Sequence, residues 1–308
     1  MDRTDIKLNC HGYDYYYRVI EGKNNNFAPT FFISGAFQNM DSWKRFANAF
    51  SNETTIILVD LPGTGKSDVV NDEIPLDFFA EAIYKIIQET CIEQMYLVSA
   101  SYGTPIAYTF AKNFPEYVSK LVLAGTMKEI PFHMRGKIIQ SVKLAEKYLM
   151  DEFAWFATHN GLLCLDPRKN IVRRELALRV LNAELKNMTR NETERYIMNT
   201  LRLLNYQSID INESPDVDTL VFTGEYDVFT IPEYCREIAS SFPNAIFTTI
   251  KNADHLFHLE RFKTTLQLLL RFVQDLPLET IEACNKIEYL FKNQPRKESS
   301  EELFRIAC

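Results

Sequence analysis

The sequence predicts an α/β protein: a mostly parallel central sheet flanked by helices, with a helical cap inserted into it. Three observations carry that prediction. Short continuous apolar runs recur along the chain, as strands covered on both faces do. Segments of helical periodicity separate them, and the alternation stops between residues 127 and 213 before it resumes. Such β-α alternation folds into one parallel sheet, so the interruption reads as an insertion into a single unit.

The elements follow in order. Tyr13 to Ile20 is aromatic and β-branched, suiting a pleated surface near the sheet edge. Thr30 to Gly35 and Thr54 to Asp60 read as buried strands, and Asp41 to Phe50 between them spaces Trp43, Phe46, Ala47 and Phe50 as on a helix. Asp77 to Cys91 repeats that spacing with Phe78, Ile83, Ile86 and Ile87, ahead of a further buried strand at Met95 to Ala100. A helix beginning near Tyr102 and a strand at Leu121 to Ala124 complete the first half. Only helical periodicities follow, at Ile138 to Met150, Ile171 to Asn187 and Glu192 to Leu204. Strands at Thr219 to Thr223 and Ala245 to Ile250, with helices at Pro232 to Ser241 and from about Leu259, restore the alternation. Residues 1–126 and 214–275 are therefore expected to form the core and 127–213 the cap. Residues 276–308 are expected to form a C-terminal extension, amphipathic over Ile281 to Phe291 and partly disordered over the polar run NQPRKESSEE.

The 308 residues are 46% apolar, enough for one sizeable core. With 34 basic against 41 acidic residues the chain carries −7, so no global basic field holds nucleic acid or an anionic membrane. Its start, MDRTDIKLNCHG, does not read as a secretory signal, and no apolar run approaches a membrane span; a cytoplasmic location is expected. The six cysteines stand singly, without a C-x-x-C pair or histidines at metal spacing. Free thiols are expected, and neither a metal nor another cofactor.

The residues that point to chemistry sit where strands end. Tyr96 to Ala100 runs into a helix with Ser101 at the junction, so the hydroxyl is lifted on a sharp turn. That turn crowds the residues two before and two after it, which must be small; here they are Ser99 and Gly103, an S-x-S-x-G pattern. Ala36 and Phe37 follow another strand, which ends in Ser34 and Gly35. The N–H of Tyr102, with that of Ala36 or Phe37, is the candidate oxyanion hole. Asp227 lies three residues past the strand-ending Gly224 and is the candidate partner of a histidine, with Glu225 as local competitor. After the last strand come His255 and His258. His255, by its place in the loop, is the candidate base, because imidazole can take a hydroxyl's proton and return it near neutral pH; His258 is the second candidate. His11, His133 and His159 read as ordinary structural residues.

Each feature alone is commonplace. The order Ser, Asp, His, each at a strand's carboxyl end, is what points to nucleophilic acyl transfer through Ser101, Asp227 and His255. Leu61 to Ser67, LPGTGKS, mimics a phosphate loop. That motif needs a glycine five residues before Gly65, and Asp60 stands there, a carboxylate where a phosphate would sit.

On these motifs, with the turn Asp60-Leu61-Pro62-Gly63-x-Gly65-x-Ser67, the chain resembles the α/β-hydrolase superfamily of serine-nucleophile type over nearly its whole length. Within it, Ser34-Gly35-Ala36, Leu97 to Ser101, Gly224-x-x-Asp227 with Thr230, and His255-x-x-x-Leu259-Glu260 are similar to the branch of rhamnolipid-precursor 3-hydroxyacyl synthases and 3-hydroxyacyl carrier-protein transferases. The resemblance implies an acyl-enzyme route that moves hydrophobic acyl chains, 3-hydroxyacyl chains among them, from esters or thioesters to water, a hydroxyl or a thiol. Tyr102-Gly103-Thr104 stands where that branch has a tryptophan and two glycines, and Asp254 where it has glycine.

In the cap, Phe132, Met134, Trp155 and Phe156 are candidate substrate-binding residues, with Phe153 and Leu162 adding apolar surface. The cap holds fourteen basic and eleven acidic residues, net +3, which leaves −10 for the rest of the chain. Arg168, Lys169, Arg173 and Arg174 are a candidate landing for an acyl carrier protein or coenzyme A; a solvated helix face explains them equally. Besides a cofactor-free haloperoxidase or lyase, which can use the same three residues, two other readings stay open. One is a general carboxylesterase on small-molecule esters, which shares the triad; the other is a non-catalytic ligand-binding protein on this fold, which predicts a broken one.

Overall fold

The structure, a computed structural model, describes residues 4–205 and 209–291. Two strands, β1 (Ile6–Cys10) and β2 (Tyr13–Ile20), make a hairpin at one edge. The central strands are β3 (Thr30–Ile33), β4 (Ile56–Asp60), β5 (Met95–Ala100), β6 (Val118–Ala124), β7 (Asp218–Gly224) and β8 (Asn244–Ile250). A ninth, β9 (Glu288–Phe291), closes the far edge, and the order across the sheet is β1-β2-β4-β3-β5-β6-β7-β8-β9. From β3 to β8 the pairing is parallel; the hairpin and β9 join antiparallel.

Helices α1 (Lys44–Phe50), α2 (Leu76–Thr90) and α3 (Gly103–Asn113) belong to the first half. Between β6 and β7 the chain forms α4 (Phe132–Glu146), α5 (Met150–Ala157), α6 (Arg174–Lys186) and α7 (Arg190–Asn205). The second half adds α8 (Pro232–Ser241), α9 (Phe257–Glu260) and α10 (Phe262–Val273). Side chains alternate across the pleat. Phe31, Ile33, Ile57 and Val59 therefore enter one core with α2, α3 and α8, and Phe32, Ile56 and Leu58 enter the other with α1 and α10.

One place differs from the sequence reading, and one turn agrees with it. The segment after 275 continues the core: Leu278, Ile281 and Cys284 are buried and β9 pairs with β8, while the run NQPRKESSEE lies outside the described residues. The turn after β4 is filled by its own acid. Asp60 accepts the N–H groups of Met40 at 2.7 Å and Lys66 at 3.2 Å, and a Cβ on Gly65 would stand 2.1 Å from its carboxylate. The room a phosphate would need is taken.

The helical segment is fastened to the sheet through α7. Arg202, buried, donates to the carbonyls of Val70, Asn71 and Ile74, to the Tyr102 hydroxyl and to Asn199 Oδ1. Asn199 in turn donates to the Gly63 carbonyl. A buried guanidinium is tolerated because neutral acceptors use its donors. No helix among the described residues is long and apolar enough to cross a membrane. Five cysteines, Cys10, Cys91, Cys164, Cys235 and Cys284, are free thiols, and Cys308 lies outside the described residues.

Candidate active site

β5 ends at Ala100 and α3 begins at Gly103, leaving two residues for the turn. Ser101 takes left-handed backbone, φ 47°, a conformation a serine adopts only where its surroundings impose it. Its N–H donates to the Ala124 carbonyl at 2.9 Å. A Cβ on Gly103 would lie 2.7 Å from the Ser34 carbonyl oxygen, so glycine alone fits there. Two residues before Ser101, the buried Ser99 is accommodated because its hydroxyl donates to the Val122 carbonyl at 2.8 Å.

The loops after β7 and β8 bring the other two groups to the elbow. His255 Nε2 is 3.1 Å from Ser101 Oγ, and His255 Nδ1 is 2.8 Å from Asp227 Oδ2. Close backbone approach makes this possible: a Cβ on Gly224 would stand 2.3 Å from the Asp254 carbonyl oxygen. Glu225, the local competitor, accepts the Asn252 N–H instead and does not reach the imidazole.

Asp227 is held by more than the histidine. The hydroxyls of Thr223 and Thr230 donate to Oδ2 at 2.5 and 2.7 Å, and the N–H groups of Phe229 and Thr230 donate to Oδ1 at 2.8 Å each. Burial alone would raise this carboxyl; the imidazole and the two hydroxyls outweigh it and hold it below the usual range. For His255 burial works to lower the pKa, and Asp227, Asp254 and Glu260 together raise it above its ordinary value. Thr223 escaped the sequence reading as part of the site, whereas Asp254, the carboxylate beside His255 in the sequence, acts to raise the imidazole.

Behind the imidazole lies a second acidic group of residues. Burial and then the Asp227 charge push Asp254 up to about 6, and burial pushes Glu260 up to about 8. Asp254 Oδ2 accepts the Cys164 N–H from the helical segment, and its own N–H donates to Glu260 Oε2 at 2.7 Å. His258 is driven down to about 4 by burial and then by His255. Its Nε2 is 3.4 Å from Gln38 Nε2, so His258 meets the β3 loop.

Ser101 and His255 open into a cavity of about 450 Å³. Of the proposed cap residues, Met134 and Phe156 line it, as does Leu162. Phe132 and Trp155 do not: Phe132 is 92% exposed and Trp155 57%. The reason is helical rotation, about 100° per residue. Phe132 lies two residues from Met134 on α4, and Trp155 is adjacent to Phe156 on α5 and stacks on the His159 ring 4.9 Å away. His133, left without a role in the sequence, lines the cavity; Phe153 packs below it against Phe37 and Tyr196.

Ala36, Phe37 and Tyr102 all border the cavity beside Ser101. The Gly35 N–H donates to Gln38 Oε1 at 2.9 Å, which closes that turn, and Phe37 has left-handed backbone, φ 62°. Arg168, Lys169, Arg173 and Arg174 line a separate open hollow of about 460 Å³. Arg168 pairs with Asp166 at 2.8 Å, and Arg174 donates to the Asp166 and Lys169 carbonyls.

Known proteins resemble this chain in sequence or in fold. A Haemophilus influenzae protein named "Putative esterase/lipase" is 26% identical over 247 residues, 79% of this chain and 82% of that protein. A 2-hydroxy-6-oxononadienedioate/2-hydroxy-6-oxononatrienedioate hydrolase of Paraburkholderia phymatum is 37% identical over 98 residues, 30% of this chain and 34% of that one. Among solved structures, MGS-M2, an α/β hydrolase enzyme from a Medee basin deep-sea metagenome library, superposes with a TM-score of 0.75 at 19% identity. The match covers 89% of this chain and 98% of that one, a likeness of fold. The family model described as alpha/beta hydrolase fold matches residues 29–262, from β3 to the start of α10, and the chain belongs to the α/β hydrolase fold family.

Proposed function

We propose that the chain is a serine hydrolase or acyltransferase that works through an acyl-enzyme on hydrophobic esters or thioesters. The observation that carries this reading is the continuous chain of contacts Ser101 Oγ, His255 and Asp227, at 3.1 and 2.8 Å, at the edge of a cavity of about 450 Å³. As Ser101 Oγ bonds to the acyl carbon, its proton passes to His255 Nε2, and Asp227 holds the imidazolium that forms. The N–H of Tyr102, with that of Ala36 or Phe37, takes the charge developing on the carbonyl oxygen. The carbon–oxygen or carbon–sulfur bond then breaks, and the leaving group takes the proton from His255. Water or another hydroxyl or thiol repeats the sequence in reverse, loses its proton to His255, and frees Ser101.

Apolar walls at Met134, Phe156 and Leu162 suit an acyl chain. The basic hollow at Arg168, Lys169, Arg173 and Arg174 suits the anionic carrier of a thioester, coenzyme A or a carrier protein. The 26% identity with an esterase/lipase supports simple esters as the second substrate class. A fluorophosphonate followed by intact-mass measurement tests the nucleophile: wild type gains one adduct and Ser101→Ala gains none. An adduct that persists in Ser101→Ala sinks the reading. Relative kcat/KM on coenzyme A thioesters and nitrophenyl esters then ranks the two substrate classes.

A further inference from the structure

The backbone N–H groups of Ala36, Phe37 and Tyr102 have no acceptor among the described residues, and all three residues border the cavity beside Ser101. Donors without partners next to a nucleophile suit the charge that develops on a carbonyl oxygen. Tyr102 is fixed by its place at the start of α3. Ala36 and Phe37 sit in a loop, and Phe37 has left-handed backbone, φ 62°, which a phenylalanine keeps only where its neighbours impose it.

That loop is pressed onto the elbow: a Cβ on Gly35 would lie 3.3 Å from the Ala100 carbonyl oxygen and 3.3 Å from Ser101 Cβ. One side chain braces it. Gln38 Oε1 accepts the Gly35 N–H at 2.9 Å and so closes the turn that contains Ala36 and Phe37. With Oε1 used in this way, the amide nitrogen is the end that meets His258 Nε2, 3.4 Å away. An amide nitrogen only donates, so His258 Nε2 accepts. The ring is neutral and able to do so, because burial and then His255 drive its pKa down to about 4. His258 lies in α9, three residues after His255, so the base and the brace of the loop belong to one short piece of chain.

We propose that Gln38 and His258 are positioning residues of the oxyanion hole: His258 anchors the Gln38 amide, and Gln38 holds the Gly35 turn so that the Ala36 and Phe37 N–H groups stay set against Ser101. The assignment rests on the acyl-transfer reading above and names what orders the donors on the β3 side of the reacting carbonyl. It ties their placement to the segment that carries the base.

Gln38→Leu keeps the bulk of the side chain and removes both bonds; in the full chain kcat on an ester is expected to fall about 100-fold, with KM within about 2-fold of wild type. His258→Phe removes the acceptor and is expected to lower kcat about 10-fold. His258→Gln, whose own carbonyl accepts from the Gln38 amide, is expected to recover most of that loss. A trifluoromethyl ketone reports the hole directly, because Ser101 adds to its carbonyl carbon, passes its proton to His255 and leaves an oxyanion. The preference for this ketone over the matching methyl ketone, measured as a ratio of Kd values, is expected to drop about 10-fold in Gln38→Leu. A kcat in Gln38→Leu equal to wild type, a rise in KM alone, or an unchanged ketone preference overturns the proposal, as do equal rates for His258→Phe and His258→Gln. Gln38 is only half-buried, so the ketone ratio in Gln38→Leu decides even where His258→Phe does not fold. All these outcomes leave the wild type with its fluorophosphonate adduct, whereas the absence of that adduct would remove the acyl-transfer reading itself.

Discussion

Two buried aspartates bear on the same imidazole and behave in opposite ways. Asp227 receives five donors, from Thr223, Thr230 twice, Phe229 and His255, and its carboxyl is held below the usual range. Asp254 is equally buried, yet its side chain meets backbone N–H groups alone, those of Cys164 and His255, and the carboxyl is pushed up to about 6 by burial and then by the Asp227 charge. Burial works against both charges; for Asp227 it is offset by the His255 charge and by side-chain donors, whereas Asp254 is raised further by the neighbouring Asp227 charge. Asp227 is built to carry charge beside His255. Asp254 is placed to join the imidazole loop to the helical segment, and it holds charge reluctantly.

Removing the carboxylate on the first side gives the largest expected effect. Asp227→Asn leaves the shape but cannot accept the imidazole proton in the same way, and kcat on an ester substrate is expected to fall about 10⁴-fold. Retention of more than a tenth of the wild-type rate would mean that Asp227 does not orient His255.

The opposite change at Asp254 reverses the sign. The folded pKa of Asp254, about 6, lies above its unfolded value of 3.8, so its stabilising contribution is present below about pH 4 and lost as pH rises through 6. Asparagine cannot ionise and can still accept the Cys164 N–H. Urea melts at pH 4, 5.5 and 7.5 should show Asp254→Asn gaining on wild type as pH rises, by up to about 3 kcal/mol. The groups around it, Asp227, His255 and Glu260, are common to both proteins. Since Asp254 helps raise His255, the acid limb of kcat/KM should also move to lower pH in the variant. A stability gap that is flat with pH would show that Asp254 does not titrate in this range.

Thinning the donors at Asp227 sharpens the contrast further. Thr230→Val keeps the volume and the backbone N–H but removes one hydroxyl from Oδ2, at an expected cost of about 2 kcal/mol in denaturant melts. The smallest effect is expected at Glu225, which accepts the Asn252 N–H away from the imidazole. Glu225→Gln should change stability by no more than about 0.5 kcal/mol and leave kcat as it is.

Much of this arrangement is local in origin. Apolar runs and helical spacings mark β3 to β8 and most helices, because a pleat repeats every two residues and a helix every 3.6. A serine between Ser99 and Gly103, an aspartate three past Gly224, and a histidine after β8 stand out because chemistry on such a sheet gathers where the strands end. The hairpin strand β1 and the edge strand β9 are short and half-exposed, which leaves little pattern to read.

What needed the folded chain is everything that depends on partners distant in sequence. Whether Phe132 or Met134, Trp155 or Phe156, faces the cavity is set by how α4 and α5 rotate against the sheet, and their composition is apolar either way. The contrast between Asp227 and Asp254 has the same source. An aspartate reads identically in both loops; Asp227 meets near neighbours, Thr223, Phe229 and Thr230, and the distant His255, whereas Asp254 meets the Cys164 N–H from ninety residues away. Periodicity carries no information on such pairings, because they form only when separate elements come into contact.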